Sequence, residues 1–594
     1  MHLISKVTIS NYCSIQNAEF PLSAYTPLVG YNNAGKTNVL KALSWLMKKG
    51  SLPASDFLDP TKPVSVVAEL SGISEDVLAT IEDKHRGKIA PYVVAGTLHI
   101  RRQQSQPDAK TADLKFEIGK GDEEGKLVWE ANPAGIDNAI MKLFPDHLFI
   151  GAMENATEDV GKFGSSTRIG KLMRAIIGPV AEAHSGAVTE ALAEISGKLS
   201  AHGEEKDQNL VDLDQKIQAE IGKFFPGVSV RTHIETPEFA DFLKGATVKI
   251  FEGDPAQTVG RDAAAFGHGA QRSVQIALIK CLAELGRGED AGRTTLLLID
   301  EPELYLHPQA VELVRSSLSK LSQEGYQVVL TTHSANMITR DDAANALLIR
   351  RDNAAGTMAY PRIQEAVRDS IVGEEHQSAT LFDLTNSSKI LFSERAILAE
   401  GKTEKAVLPD LYRFARLKTL DEERLGLVDL GGSSNVPGAM KVLGAMNVPV
   451  KSIVDLDFAF KVAPQWGLLD EQHPGILGCK SIFQRLEAEA KCLLGDDGLP
   501  RKPKSDEQGV TAAEAFEILA KDEGAVEFIQ DLHNELKDNG IWLWKQGAIE
   551  AHLGLLGKSA SDHRRFIQSL VADTALDDIP DKGGVLEMLE WLQT

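Results

Sequence analysis

Residues 30–37 (GYNNAGKT) have the residue types and spacing of a loop that binds nucleotide phosphates. Its glycines allow backbone N–H groups to close around the β- and γ-phosphates. Lys36 supplies a positive charge to the same phosphates, and the Thr37 hydroxyl can bind Mg²⁺. The pattern therefore predicts a site for ATP with Mg²⁺, with contacts from Gly30, Asn33, Gly35, Lys36, Thr37 and Asn38.

Two apolar segments farther along the chain also end in polar residues. Residues 294–299 (TTLLLI) indicate a buried strand, and Asp300 and Glu301 follow it directly. Adjacent carboxylates at the end of such a strand are costly unless a metal or water uses them. We predict that Asp300 holds the Mg²⁺ shell and that Glu301 orients or deprotonates the attacking water. Residues 328–332 (VVLTT) indicate another buried strand, which ends at His333.

Four further carboxylates, Glu400, Glu404, Asp455 and Asp457, indicate a second, separate chemistry. Glu400 ends one predicted strand, Glu404 lies in the first turn of the following helix, and the two aspartates end another predicted strand. Because residues i and i+2 of a strand share a face, we expect Asp455 and Asp457 to point at one metal. Carboxylates placed this closely repel one another unless Mg²⁺ or Mn²⁺ neutralises them, and oxygen ligands suit these hard cations rather than zinc.

The elements that must position these residues follow two patterns. Residues 25–29 and 38–48 predict a strand and a helix on either side of the glycine loop, which is the context that a phosphate loop needs. From residue 389 onward strands and helices alternate, which predicts a parallel sheet with helices on its faces. Further β structure is expected in residues 64–116, 228–232 and 246–251.

With 594 residues, the chain is too long for a single core, so several domains are expected. A stretch rich in helix formers interrupts the two halves of the ATPase. It is a candidate dimerisation arm, or alternatively a subdomain that packs on its own chain. The predicted divisions are an ATPase first half at 1–166, a helical insertion at 167–226, an ATPase second half at 227–368, a linker at 369–388 and a metal-binding domain at 389–594.

The composition limits the class of protein. The net charge of −22 argues against a protein that coats nucleic acid nonspecifically, but it does not exclude an enzyme that places Mg²⁺ between its carboxylates and a phosphate. The four cysteines form no C-x-x-C pair, which argues against a zinc ribbon and a disulfide framework. Because the chain also shows no secretory leader and no long apolar run, we expect a cytoplasmic protein without a membrane span.

The phosphate loop, residues 266–273 (FGHGAQRS), the acidic strand end and the His333 strand, in this order, resemble the ABC-type ATPases of the SMC, RecF and Rad50 group. The resemblance implies that residues 267–273 are the signature motif, which contacts the γ-phosphate of a partner subunit, and that His333 is the switch histidine. The segment departs from the usual Ser-Gly-Gly/Glu-Gln core. Because half of each site comes from the partner in that group, a homodimer or higher assembly is expected.

Glu-Gly at 400–401 followed by Asp-x-Asp at 455–457 resembles the Toprim domain. An ABC ATPase followed by a Toprim domain is the arrangement of the OLD (overcoming lysogenization defect) nuclease family, which residues 391–401 (LFSERAILAEG) also resemble. The resemblance implies two-metal hydrolysis. It assigns the metal ligands to Glu400, Glu404, Asp455, Asp457 and Glu550, the catalytic lysine to Lys582 with Lys558 or Lys545 as alternatives, and a place near the same pocket to Asp429.

The predicted fold class is α/β, with an N-terminal ABC-type ATPase that carries a helical insertion and a C-terminal Toprim domain. The predicted function is a metal-dependent DNA endonuclease regulated by ATP, in phage defence or DNA processing. The motifs are closest to family members encoded beside a UvrD-like helicase, including the Gabija nuclease subunit, so such a helicase is a candidate partner.

Two alternatives remain open. One is a repair ATPase scaffold with an inert Toprim site, against which the intact Glu400, Asp455 and Asp457 argue. The other is an ATP-regulated RNase, because a two-metal site binds phosphate and not sugar.

Overall fold

The structure is a computed structural model whose described residues fall into two compact units. Unit 1 comprises Met1–Tyr12, Leu22–Tyr25 and Thr37–Thr332, and unit 2 comprises Cys13–Pro21, Thr26–Lys36 and His333–Thr594. The described residues are 2–48, 50–121, 127–131, 140, 143, 147–151, 186, 190–221, 223, 227–234, 249–262, 265–285, 294–338, 345–352, 354–362, 365–366, 389–504, 507–570 and 576–593.

The described strands and helices are numbered in chain order. The strands are β1 (Leu3–Tyr12), β2 (Ile15–Pro21), β3 (Tyr25–Val29), β4 (Val64–Ser71), β5 (Leu98–Gln104), β6 (Lys115–Gly121), β7 (Leu127–Ala131), β8 (His147–Ile150), β9 (Lys249–Ile250), β10 (Arg261–Asp262), β11 (Thr295–Ile299), β12 (Tyr326–Thr332), β13 (Leu347–Asp352), β14 (Gly356–Ala359), β15 (Arg395–Ala399), β16 (Leu425–Asp429), β17 (Val450–Val454) and β18 (Ile541–Leu543). The helices are α1 (Lys36–Met47), α2 (Glu75–Ala79), α3 (Asp83–Ile89), α4 (Gln208–Ile221), α5 (His268–Leu285), α6 (Pro308–Gln323), α7 (Lys402–Arg416), α8 (Val436–Ala445), α9 (Phe458–Lys461), α10 (Pro474–Ala488), α11 (Ala512–Ala520), α12 (Val526–Asp538), α13 (Ile549–Leu553), α14 (Ala560–Ser569) and α15 (Lys582–Trp591).

Unit 1 contains an antiparallel and a parallel group of strands. The antiparallel group has the order β7–β6–β5–β4–β1, and the parallel group has the order β12–β11–β8. Buried and half-buried residues alternate along β4, which is typical of a strand with one face on a core. In β11 the last four residues are all buried, as in a strand covered on both faces. The β structure predicted for residues 64–116 is confirmed, and its strands pair antiparallel.

Unit 2 contains the strand that precedes the glycine loop and a four-stranded parallel sheet. β3 pairs parallel with β13, and β13 pairs antiparallel with β14. The parallel sheet has the order β16–β15–β17–β18. Alternate residues of β15 face opposite sides. Leu398 packs in one apolar cluster with Phe483 of α10, and Ile397 packs in another with Leu411 of α7. The predicted α/β fold, with helices on both faces of a parallel sheet, is confirmed.

The strand predicted at residues 228–232 was wrong, because the described residues 228–234 have no regular secondary structure. Side chains of α4 bind the backbone polar groups that a neighbouring strand would otherwise pair. The Gln218 amide accepts from Val230 N at 2.7 Å and donates to Val228 O at 2.8 Å, and Asp214 Oδ1 accepts from Thr232 N at 2.7 Å. The segment that contains these β-branched residues is therefore hydrogen-bonded to side chains of a helix instead of to a strand.

The helical insertion is described only in part. Residues 190–199 and α4 are helical, as predicted, whereas residues 167–185 and the predicted linker 369–388 lie outside the described residues. The domain boundaries and the dimerisation role of the insertion stay predictions. None of the helices in the described part of the chain has the length and apolar character that crossing a membrane requires.

Candidate functional site

The glycine loop at residues 30–37 has a backbone that only particular residues can adopt. Gly30 and Gly35 have φ values of +151° and +98°, and Asn33 lies in the left-handed region at +67°. A Cβ atom on Gly30 would lie 2.3 Å from Ile349 O, and one on Gly35 would lie 2.1 Å from Thr357 Oγ1. Both glycines are therefore required by the close approach of neighbouring strands as well as by their dihedral angles.

Lys36 is buried, at 4 % exposed, and backbone carbonyls of its own loop satisfy its ammonium group. Its Nζ donates to Gly30 O at 2.9 Å and to Tyr31 O at 3.1 Å, and lies 2.9 Å from His333 Nε2. Within unit 2 the structure thus brings together Lys36 and His333, two of the predicted site residues. Phosphate oxygens compete for the same donor, because a charged acceptor makes the stronger hydrogen bond.

Unit 1 brings Thr37 to the acidic strand end. Asp300 Oδ1 accepts hydrogen bonds from Thr37 Oγ1 at 3.0 Å and from Thr331 Oγ1 at 2.6 Å. Glu301, with φ +47°, donates its backbone N–H to the same Thr331 hydroxyl at 3.0 Å. Thr331 therefore fixes both acidic residues, and its role was not predicted because a threonine inside an apolar strand carries no signal of its own.

Arg272 is a second residue that the sequence analysis did not single out. It lies in α5, which begins at His268 within the signature-like segment, and it is 6 % exposed. Its guanidinium donates to Asp300 O at 2.9 Å and to Glu301 O at 3.2 Å. Burial lowers the pKa of Arg272, although nearby carboxylates favour its charged form. The side chain ties the start of α5 to the carbonyls of the acidic pair.

Four acidic residues lie together in unit 2, and we name them the carboxylate cluster: Glu400, Glu404, Asp455 and Glu550. Glu400 and Asp455 directly follow the carboxyl ends of β15 and β17, and the other two lie in the first turns of α7 and α13. Asp455 N donates to Glu400 Oε2 at 3.0 Å. Thr403 Oγ1 donates to Glu550 Oε1 at 2.6 Å. Neighbouring parallel strands and two helix starts thus bring the predicted acids to one edge of the sheet.

The environment of the carboxylate cluster disfavours negative charge. Burial raises the pKa of Glu404 to about 7, and the charges of Glu400 and Glu550 add to the effect. Burial likewise raises the pKa of Asp455 well above its ordinary value, with repulsion from Glu400 and Glu404 contributing. Burial also raises the pKa of Glu400. Several acids therefore share a space in which water cannot screen them.

Lys558 is the lysine that the structure brings to these acids. Its Nζ lies 3.4 Å from Glu550 Oε2 and 3.9 Å from Asp455 Oδ2. Burial opposes its charged form, but attraction to Asp455 and Glu550 outweighs burial and raises the pKa of Lys558. Lys582, by contrast, pairs with Asp577 at 2.5 Å, and Lys545 donates to Gln530 at 3.0 Å. The predicted role of Lys582 has no support from these contacts.

Asp457 is placed by a different element from the one predicted. β17 ends at Val454, so Asp455 and Asp457 do not share the face of one strand. Asp457 directly precedes α9, and its carboxylate lies 3.0 Å from Lys461 Nζ. Its charge nevertheless acts on Glu400, where it adds to burial in raising the pKa. Asp429, at the end of β16, accepts from Gly431 N at 3.0 Å.

The carboxylate cluster suits a divalent cation by the chemistry of its donors. Among the described residues, Asp455 Oδ1 and Glu550 Oε2 are buried oxygens without a hydrogen-bond partner, and Lys558 is the cation nearest to Glu550 Oε2. No three His, Cys, Asp or Glu side chains in the described part of the chain stand close enough together to enclose one ion. The carboxylates must therefore rotate their side chains before three of them can bind one metal ion. Their oxygen donors and negative charge fit hard cations such as Mg²⁺.

Comparison with known proteins accounts for both regions. Residues 3–92 and 99–338 match the AAA ATPase domain family (AAA_15), and residues 391–457 match the family described as overcoming lysogenization defect protein-like, TOPRIM domain. The chain is 36% identical over 580 residues to the Old nuclease of Escherichia phage P2, covering 96% of this chain and 95% of that protein. It is 21% identical over 485 residues to the OLD nuclease of Thermus scotoductus, covering 77% and 82%.

Among solved structures, an Smc head bound to the C-winged helix domain of ScpA aligns at 16% identity with a TM-score of 0.37, over 61% of this chain and 99% of that chain. The family matches and the phage relative together cover nearly the whole sequence. The chain therefore belongs to the OLD (overcoming lysogenization defect) nuclease family and is a nuclease regulated by an ATPase domain.

Proposed function

We propose that this protein is a DNA endonuclease that hydrolyses phosphodiester bonds at the carboxylate cluster with Mg²⁺ or Mn²⁺. The observation that carries the proposal is the concentration of buried acids with raised pKa values around Asp455, whose Oδ1 has no hydrogen-bond partner among the described residues. Such an arrangement is unfavourable in a purely structural role, because uncompensated buried charge destabilises a fold.

Glu400, Glu404, Asp455, Asp457 and Glu550 are the proposed metal ligands, in a two-metal site. Bound divalent metals supply charge stabilisation to the phosphate and lower the pKa of an attacking water. The chain itself orients the ligands, since Asp455 N holds Glu400 and the Thr403 hydroxyl holds Glu550. Lys558 is the proposed cation that stabilises negative charge developing on the phosphate, in the place that the sequence analysis assigned to Lys582.

The proposed nucleotide site uses the phosphate loop with the acidic strand end. Gly30, Asn33 and Gly35 shape the loop, Asn38 contacts the nucleotide from the start of α1, Lys36 and Thr37 bind phosphate and Mg²⁺, and Asp300 completes the Mg²⁺ shell. Glu301 orients the water, and His333 contacts the γ-phosphate. Support comes from the hydrogen bonds of Thr37 to Asp300 in unit 1 and of Lys36 to His333 in unit 2.

The proposed setting follows from the family and from the nucleotide chemistry. ATP binding closes two or more copies of the chain on each other, as in ABC-type ATPases, and the helical insertion assists dimerisation. Phage defence or DNA processing is the proposed role, with a UvrD-like helicase as a candidate partner. An RNase is the second candidate, because the carboxylate cluster recognises phosphate and not sugar.

The test is cleavage of supercoiled plasmid by the purified protein with Mg²⁺ or Mn²⁺, beside Asp455→Asn and the matched surface variant Asp470→Asn. Asp470 is an exposed aspartate of the same unit whose carboxylate accepts from Gln472 N. Nicking and linearisation by the wild type and Asp470→Asn, but not by Asp455→Asn, support the proposal. Cleavage of RNA with intact plasmid would select the RNase instead, and cleavage of neither polymer would contradict both.

A further inference from the structure

Tyr31, the second residue of the phosphate loop, is half-buried and contacts several groups of unit 2. Its hydroxyl accepts from Arg351 N and donates to Arg351 O, each at 3.1 Å. The guanidinium carbons of Arg350 and Arg424 lie 5.5 Å and 5.6 Å from the centroid of its ring. Both distances are within the range of cation–π attraction. An aromatic ring on the phosphate loop thus contacts two arginines from distant parts of the sequence.

Arg424 connects the Tyr31 ring to the start of the strand that leads to Glu400. Arg424 has a left-handed backbone, with φ +56°, and its carbonyl accepts from Glu394 N at 2.9 Å. Its guanidinium also forms an ion pair with the Glu394 carboxylate. Arg424 therefore binds Glu394 through both its backbone and its side chain, and Glu394 directly precedes β15.

β15 is a short and buried connection between Glu394 and the carboxylate cluster. Its five residues end at Ala399, and Glu400 follows. At about 3.3 Å per residue, the strand spans roughly 16 Å. Val29, which ends β3 just before the phosphate loop, belongs to the same buried apolar cluster as Leu398 of β15. A displacement at Glu394 is therefore transmitted along a packed strand and is not absorbed by a flexible segment.

The lysine of the phosphate loop also contacts the residue that carries the ring. Lys36 Nζ donates to the carbonyl of Tyr31, and a nucleotide phosphate competes for this ammonium group. Withdrawal of Lys36 releases the Tyr31 carbonyl, so the backbone that positions the ring changes its hydrogen bonding when phosphate binds. The hydrogen bonding of the Tyr31 carbonyl would therefore depend on whether a phosphate is bound to Lys36.

We propose that Tyr31, Arg424 and Glu394 form the link through which a nucleotide bound at the phosphate loop regulates cleavage at the carboxylate cluster. The inference rests on the proposed function, and it names the residues that regulate that site. Arg350 also supports the link, because it lies near the ring, is 6 % exposed and donates to Ser393 O, next to Glu394. Arg424 and Glu394 are positioning residues, since neither contacts the carboxylate cluster.

The experiment compares wild type, Arg424→Gln and the matched variant Arg413→Gln on plasmid DNA with Mn²⁺, with and without a non-hydrolysable ATP analogue. Both arginines are exposed and pair with one acidic residue, but Arg413 pairs with Asp410 on the surface of α7. In the wild type and Arg413→Gln, the analogue changes the cleavage rate by about fivefold or more, the lower end of ordinary allosteric coupling. In Arg424→Gln, cleavage without nucleotide persists and the response to the analogue disappears.

A binding measurement separates loss of the link from loss of the nucleotide site. Coupling between two binding equilibria is reciprocal, so a DNA duplex bound with Ca²⁺ changes the affinity of the wild-type protein for the analogue by the same factor by which the analogue changes its affinity for the duplex. In Arg424→Gln the analogue still binds, and its affinity no longer depends on DNA. Tyr31→Phe, which loses the hydroxyl contacts to Arg351 but keeps the ring, should retain part of the response.

The outcomes distinguish this inference from the proposed function. Failure of the wild type to cleave under any condition overturns the proposed function and the inference with it. A wild type that cleaves equally with and without the analogue overturns only the inference. So does an undiminished response in Arg424→Gln, or the same loss of response in Arg413→Gln.

Discussion

The phosphate loop and the carboxylate cluster handle charge in opposite ways. At the loop, the buried Lys36 ammonium is surrounded by carbonyl oxygens of its own backbone, and Thr37 donates to Asp300. In the carboxylate cluster, four buried or half-buried acids face one lysine among the residues that the structure describes, Lys558. Protein hydrogen bonds satisfy the ammonium group of the loop, whereas a divalent cation would offset the repulsion among the acids of the cluster. The loop therefore depends on backbone geometry and the cluster on side-chain charge.

The largest effect is expected from Asp455→Asn, which removes a proposed ligand without changing the size of the side chain. We expect cleavage to fall on the order of 10³-fold, because metal-assisted charge stabilisation supplies several kcal/mol. Plasmid cleavage under single-turnover conditions measures the effect, and ATP hydrolysis by the same preparation shows that the chain is folded. Cleavage near the wild-type rate would mean that the cluster is not the nuclease centre.

The next largest effect is expected on the cleavage rate when Lys558 is replaced, and it distinguishes Lys558 from Lys582. Lys558→Met should lower the single-turnover rate by about 10²- to 10³-fold, which is typical for loss of one preorganised group that stabilises transition-state charge. Lys582→Met should have little effect, because Lys582 is paired with Asp577 and not with the cluster. The reverse ranking would restore the assignment made from the sequence.

Glu404→Gln tests the repulsion within the cluster through stability. In the metal-free fold, burial raises the pKa of Glu404 from 4.5 to about 7, so the folded state holds a proton that the unfolded state releases. Stability must then fall as pH rises from 4.5 to about 7, and the loss amounts to on the order of 3 kcal/mol. Urea unfolding with a chelator should show Glu404→Gln more stable than wild type above pH 7 and level with it near pH 4.5. If Glu404→Gln and the wild type had equal free energies of unfolding at both pH values, this explanation would be wrong.

The smallest effect concerns orientation of a ligand. Thr403→Val removes the 2.6 Å hydrogen bond to Glu550 while keeping the shape of the side chain. Loss of such an outer partner should weaken Mn²⁺ binding by about tenfold. Thr403→Ser keeps the hydroxyl and should restore most of the affinity. A Thr403→Val protein with wild-type affinity would show that Glu550 needs no orientation or is not a ligand.

The sequence predicts residues at strand ends well and residues on loops poorly. Glu400 and Asp455 follow apolar segments whose composition indicates buried parallel strands, so their meeting at one edge was predictable. Lys558 lies between α13 and α14, and only the tertiary fold brings it to Glu550. The family resemblance assigns the role to Lys582, with Lys558 and Lys545 as alternatives, and the sequence alone does not show which of the three lies near the acids.

Two further differences have local physical causes. Asp455 and Asp457 do not share the face of one strand, because the strand predicted to carry both residues ends at Val454. Arg272 gave no signal by itself, since its hydrogen bonds go to backbone carbonyls that any sequence supplies. Periodicity predicts which elements form, but it does not determine the residue at which each one stops.

The central claim is that the repulsion among the acids of the carboxylate cluster is neutralised only when a divalent metal ion binds there. Calorimetric titration of the metal-free protein with Mn²⁺, beside Asp455→Asn and Asp470→Asn, tests it most directly. The account predicts that wild type and Asp470→Asn bind Mn²⁺ and release protons near pH 7, and that Asp455→Asn loses this binding. Identical titration curves for wild type and Asp455→Asn would contradict it.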